Sequence, residues 1–170
     1  MQRLLSMFIL SLIGWSMSAH SQTQSPVEAR TKNRSQIIFV CEHGAALSVV
    51  SAAYFNKIAK EEHLNLHAIA RGTEPQPELS VSAREGLNAD GVPFETTRPQ
   101  RLSIKEAALA RRIVTFTSLP AKYSSLVIVE KWTDVPPTAD NYAGARNAIL
   151  THLHDLIRQL KSGGQGRSKD

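Results

Sequence analysis

The sequence predicts a single α/β domain in three layers, a four-stranded parallel sheet flanked by helices. Three observations lead there. Ile37-Ile38-Phe39-Val40, Ile113-Val114-Thr115-Phe116 and Leu126-Val127-Ile128-Val129 are near-continuous apolar runs, as strands buried on both faces are. Stretches with helical spacing separate the strand candidates, and such alternation specifies crossover connections and a parallel sheet covered on both sides. The chain has 170 residues, 42% hydrophobic and 21% charged, which suits one ordinary globular domain with its own core.

Ile37–Val40 is the first strand. Ser48–His63 follows as a helix, with Val49, Val50, Ala53, Tyr54 and Ile58 on one side and Lys57, Lys60 and Glu61 on the other. Leu64–Ala70 is the second strand. Leu79–Ala89 reads as a helix between Pro77 and Gly91. Val92–Glu95 is expected to be a short edge element, and Ile104–Ala110 a short helix. Ile113–Phe116 and Leu126–Val129 complete the sheet. Asn141–Leu160 is a long amphipathic helix with Ile149, Leu150, Leu153, Leu156, Ile157 and Leu160 on its apolar stripe.

The termini lie outside this body, which runs over 36–161. Met1-Gln2-Arg3 is a basic start, Leu4–Trp15 is an apolar run, and Ala19 and Ser21 are the small residues a signal peptidase reads. Residues 1–21 are therefore expected to be a cleaved signal peptide, and the protein to be secreted, into the periplasm of a bacterium. The apolar run is shorter than the ~20 residues a spanning helix needs, so no stable membrane anchor is expected. Residues 22–35 read as a disordered lead-in and 162–170, with three glycines, as a disordered tail.

The single cysteine excludes an internal disulfide and a four-thiolate zinc site. The net charge of +5 is spread along the chain without a block of like charges; it tolerates an anionic substrate and does not argue for nucleic acid. His152 and His154 lie two apart on a helix and face different ways, and His63 and His67 have no carboxylate at a useful spacing, so no metal is expected; nor is any cofactor.

In open α/β sheets ligands bind beyond the carboxyl ends of the strands. The loop after the first strand reads Cys41-Glu42-His43-Gly44-Ala45-Ala46-Leu47-Ser48 and enters a helix. Loop N–H groups and a helix N-terminus stabilise an anion there and favour the nucleophilic thiolate form of a cysteine. Gly44 is free to take positive φ. Ser48 is placed to cap the helix or to hydrogen-bond the sulfur.

Phe39-Val40-Cys41 through Ser48 resembles the phosphate loop of the low-molecular-weight protein tyrosine phosphatases and the related thioredoxin-coupled arsenate reductases. Ala70-Arg71-Gly72-Thr73, Ala110–Thr115, Trp132-Thr133-Asp134-Val135-Pro136 and Ala145-Arg146-Asn147-Ala148-Ile149 are similar, in the same order, to later stretches of that family. The resemblance covers about Gln36–Leu160 and implies the phosphotyrosine protein phosphatase I-like fold. It implies a phosphorylated or other oxyanion substrate. Cys41 would be the nucleophile, Ser48 its tuning hydroxyl and Asp134 the acid/base. His43, Gly44, Ala45, Ala46 and Leu47 would line the anion site.

The chain departs from that pattern. Leu47 stands where the family has the arginine that binds the oxyanion, Glu42 sets a carboxylate beside the thiol, and Val135 separates Asp134 from Pro136. Arg71, after the second strand, is the candidate to supply the missing guanidinium, and His43 a second cation; Arg98 and Arg101 read as surface charge. The three-cysteine relay of arsenate reduction is excluded. Two readings stay open. One is an exported cysteine-dependent hydrolase acting on phosphoesters or a related oxyanion. The other is a non-catalytic relative that binds an anion or a partner, or senses thiol chemistry through Cys41.

Overall fold

The computed structural model describes Val27 and residues 34–162. The expected signal peptide, most of the lead-in and the tail beyond Ser162 lie outside the described residues. The order is β1 (Gln36–Cys41), α1 (Leu47–Glu61), β2 (His67–Gly72), α2 (Val81–Ala89), α3 (Ile104–Leu109), β3 (Arg112–Thr115), α4 (Ala121–Ser124), β4 (Ile128–Lys131) and α5 (Tyr142–Ser162). The sheet runs β2-β1-β3-β4, and every neighbouring pair is parallel. β1 lies between the next two strands of the chain, so its carboxyl end opens at the crevice where the strand order reverses. Cys41 is the last residue of β1.

Side chains alternate across the sheet and divide the core in two. Ile37 and Phe39 face α1, α2 and α5, where they pack with Phe55, Leu87, Leu153 and Trp132. Ile38 and Val40 face the other way, with Leu102, Ala107, Ala110 and Val127. Both faces of β1 are closed, which is why its sequence is apolar without alternation. α3 starts with a capping box: the Ser103 hydroxyl accepts from the Glu106 N–H at 3.1 Å, and the Ser103 N–H donates to the Glu106 carboxylate at 3.0 Å.

Three expectations move. β2 begins three residues later than the sequence suggests and runs on to Gly72, because its limits are set by pairing: Val40 aligns with Arg71 and Cys41 with Gly72. Val92–Glu95 forms no strand; Pro93 has no N–H to give a ladder, and Val92 is instead buried in the core. The last strand, expected at Leu126–Val129, lies two residues later at Ile128–Lys131, because the single turn α4 after Pro120, too short to show a period, takes up the chain before it.

Across the α1, α2 and α5 layer, Asp90 gathers three donors. Tyr54 and Tyr142 donate their hydroxyls to Oδ2 at 2.6 and 2.9 Å, and Arg146 donates to Oδ1 at 2.9 Å. The Tyr54 hydrogen bond is the main influence holding the Asp90 carboxyl below its usual value. Burial, helped by the Asp90 hydrogen bond, pushes the Tyr54 hydroxyl up to about 12. The lowered carboxylate contributes stability above the ordinary Asp range, lost as pH falls through its folded value. The raised tyrosine contributes below the ordinary Tyr value, lost as pH rises through about 12. Asp90→Asn is expected to cost about 1–2 kcal/mol at neutral pH, the worth of charge-assisted hydrogen bonds at a partly solvated site. Urea midpoints across pH check it: the gap between native and variant should be widest from about pH 5 to 9 and should narrow towards both extremes.

Candidate active site

The chain from Cys41 to Ser48 closes into a ring. Cys41 is buried at the end of β1, and Ser48, in the first turn of α1, is buried completely. The Cys41 Sγ and Ser48 Oγ lie 3.1 Å apart. Of the two roles the sequence allows Ser48, the structure shows the contact with the sulfur: Ala46 is the N-cap, and no side chain caps α1.

The segment after β2 straps the outside of the ring. The N–H groups of Thr73, Glu74, Gln76 and Ser80 donate to the carbonyls of Cys41, Glu42, His43 and Ala45 at 3.1, 2.7, 3.1 and 2.9 Å. No peptide bond in the described chain is cis. In a trans peptide N–H and C=O point in opposite directions, so the N–H groups of Glu42, His43, Gly44 and Ala46 face away from the strap, into the ring. Among the described residues no acceptor takes any of these four. The first N–H groups of α1, which have no intrahelical partner, come next. A row of oriented donors ending at a helix N-terminus is an anion cradle, and here it surrounds a thiol.

Two glycines make the ring possible. Gly44 has φ of +63°, and a Cβ on it would sit 2.7 Å from the Gly72 nitrogen. A Cβ on Gly72 would sit 2.8 Å from the Gly44 nitrogen. The two backbones touch, so neither position has room for a side chain.

Leu47 opens α1 and is partly buried against the apolar core. His43 is exposed, and its ring nitrogen is 4.0 Å from the Glu42 carboxylate. Arg71 shares a face of the sheet with its register partner Val40, away from Phe39 and Cys41. Its Nε and Nη2 donate to the Glu106 Oε1 at 2.8 and 2.6 Å, and its Nη1 donates to the Ala70 carbonyl at 2.7 Å. Burial alone would raise the Glu106 carboxyl, but hydrogen bonds from Arg71 and Ser103 outweigh it and hold the group below its usual value. The guanidinium is thus committed to α3 and the β2 edge, and the swing into the anion site that the sequence suggests finds no support in this arrangement. Arg101 donates to the Thr73 carbonyl, and so anchors the strap.

Asp134 lies in the segment after β4, and its Oδ1 is 2.7 Å from the Nε2 of His152 on α5. That hydrogen bond lowers the Asp134 carboxyl below its usual value. The His152 ring is stacked on Trp132, centroids 4.7 Å apart and planes at 16°, and Trp132 packs on Phe39 at 5.7 Å. No hydrogen bond or ion pair among the described residues joins Asp134 to the Cys41 ring. A carboxyl held ionised is a poor proton donor at neutral pH. His152 is the partner that sequence reasoning overlooked; eighteen residues separate it from Asp134, and no local spacing announces the pair.

Among the described residues no cluster of His, Cys, Asp and Glu is placed to hold a metal ion, and no helix is long and apolar enough to cross a membrane. No protein-family model and no curated protein matches the sequence. Solved structures do match. YfkJ from Bacillus subtilis superposes with a TM-score of 0.68 at 16% identity, over 78% of this chain and 98% of that one. A low-molecular-weight protein tyrosine phosphatase from Bacillus subtilis gives 0.63 at 22%, over 75% and 97%.

The fold is that of the low-molecular-weight protein tyrosine phosphatases.

Arsenate reductases share it. One of them, in the phosphate-binding state, gives a TM-score of 0.63 at 14% identity, over 74% of this chain and 98% of that one. The phosphatase-type architecture therefore spans nearly the whole described body, from β1 to α5.

Proposed function

We propose that this is an exported, phosphatase-like protein that binds a tetrahedral oxyanion in the Cys41–Ser48 ring, with Cys41 as nucleophile toward phosphoesters. The observation that carries the reading is the set of four ring N–H groups turned inward around a sulfur in contact with Ser48. A neighbour of the same fold that is described in a phosphate-binding state supports the ligand class. The basic start and apolar run at residues 1–21 support export.

In this reading the Cys41 thiolate attacks phosphorus in line. The P–O bond to the leaving group breaks, its electron pair stays on the leaving oxygen, and that oxygen takes a proton from solvent. Water then attacks phosphorus, breaks the P–S bond and returns the thiolate with inorganic phosphate. The Ser48 hydroxyl stabilises the sulfur anion in both steps, and the inward N–H groups stabilise the equatorial oxygens. With no guanidinium in the ring and Asp134 paired to His152, both steps are slow.

The test is hydrolysis of para-nitrophenyl phosphate by the native chain and by Cys41→Ser, with orthovanadate as competitor. Slow, vanadate-sensitive release of nitrophenol that Cys41→Ser abolishes is expected. Equal rates in the two proteins would overturn the nucleophile. Leu47 and the Asp134–His152 pair favour a second reading, binding without turnover; it predicts vanadate binding, followed by calorimetry, with no nitrophenol released.

A further inference from the structure

A second cavity lies at the edge of β2, with Gly44 of the ring as part of its lining. A cavity of about 500 Å³ runs between α1, β2 and the segment 93–100, within the size range of small-molecule sites. α1 supplies one stripe of it, Val49, Ala52, Ala53, Asn56 and Lys60. At 1.5 Å per residue that stripe is about 16 Å long. The small residues in its middle leave the room, and Phe94 and Pro99 wall the far side.

The polar groups there are few and specific. His67 donates its N–H to the Ser35 carbonyl and Thr73 to the Cys41 carbonyl. Odd-numbered residues of β2 thus point their backbone groups at β1, and even-numbered residues point theirs outward. Two of the three outward residues are already paired. Ala68 exchanges both hydrogen bonds with the Asn56 amide at 2.7 and 2.9 Å, and Gly72 pairs with Gln100 and Leu102. The Ala70 carbonyl takes Arg71. This leaves the Ala70 N–H without an acceptor among the described residues, on the cavity wall. An added peptide strand needs a row of such groups, and this edge offers one. The occupant is therefore not a strand.

Charge decides the rest. Lys60, Arg98 and His67 line the cavity with Glu95 as the only acid besides them, and none of these three basic residues has a salt-bridge partner among the described residues. Arg71, the remaining cation, is bound to Glu106. Lys60 and Arg98 against Glu95 leave the cavity a net charge of one positive unit, complementary to a monoanion.

We propose that this cavity binds a small amphiphile, an acyl chain or apolar ring bearing one carboxylate, with its body along α1 and its head between Lys60, Arg98 and the Ala70 N–H. The probe is dodecanoate below its micelle concentration, titrated into the full chain labelled with ¹⁵N. Amide resonances of Ala70 and residues 94–98 should move saturably with one equivalent. Reversing both exposed cations, with Lys60→Glu and Arg98→Glu together, should weaken binding about tenfold or more, and the Cys41→Ser protein should bind as the native one does. Methyl dodecanoate, which lacks the charge, should bind more weakly to the same amides. An unmoved Ala70 amide would overturn the proposal. So would dodecyltrimethylammonium or the ester binding as tightly as the acid, because either result leaves only greasy surface.

Discussion

Leu47→Arg is expected to raise kcat/KM for para-nitrophenyl phosphate by about 10²–10³, the rate one well-placed oxyanion donor is worth. The reason lies in what the ring already has. Four N–H groups face inward, and the Cys41 sulfur and Ser48 hydroxyl are in contact, but no side chain in the ring neutralises the charge that gathers on the transferring phosphoryl group. Position 47 opens α1 directly before Ser48, so a guanidinium there starts beside the cradle, with a planar fork that suits two oxygens at once. Losing the partly buried leucine should cost about 1 kcal/mol of packing, so activity and urea midpoint should move in opposite directions. Paired rate and unfolding measurements check this. A stable Leu47→Arg protein with no gain in rate would mean that the inward N–H groups do not surround the reacting phosphorus.

The largest expected loss of stability is at Phe39. Its side chain is fully buried, with ring centroids 6.0 Å from Phe55 and 5.7 Å from Trp132. Phe39→Ala should cost about 3–5 kcal/mol, a large share of the ~5–15 kcal/mol of a whole domain. Urea unfolding should show a much lower midpoint with an unchanged m-value. The cavity would open under Trp132, the platform on which His152 is stacked, so the near-ultraviolet signal of that pair should weaken in the folded state. A loss under 1 kcal/mol would mean that the α1–α5 layer closes over the gap.

The sheet was legible because its strands are buried on both faces. A near-continuous apolar run such as Ile37–Val40 has no other use in a chain of this composition, and the helical spacings between runs leave only crossover connections. The nucleophile candidate was legible for a related reason: a cysteine at the end of such a run, followed by small residues and a helix, lies where parallel sheets bind ligands. The partners of the polar side chains were not legible. Arg71 follows a strand that ends at the ligand-binding edge, and on that ground alone it is a fair candidate for the anion. Its commitment to Glu106, thirty-five residues away, depends on which face of the sheet it occupies. That face follows from register, since a shift of one residue along β1 would turn the guanidinium to the other side.

From its amino acids alone the chain determines a parallel α/β sandwich and a thiol at the head of its first strand, since hydrophobic period and strand-to-helix order are local properties written residue by residue. Tertiary structure alone decides what surrounds that thiol. It brings Gly72 against Gly44, turns four carbonyls of the ring outward to the strap and the N–H groups of the same peptides inward, and pairs Asp134 with His152. These arrangements join residues far apart in sequence, and their energies come from directional hydrogen bonds and close backbone contact that exist only once the sheet has set its register.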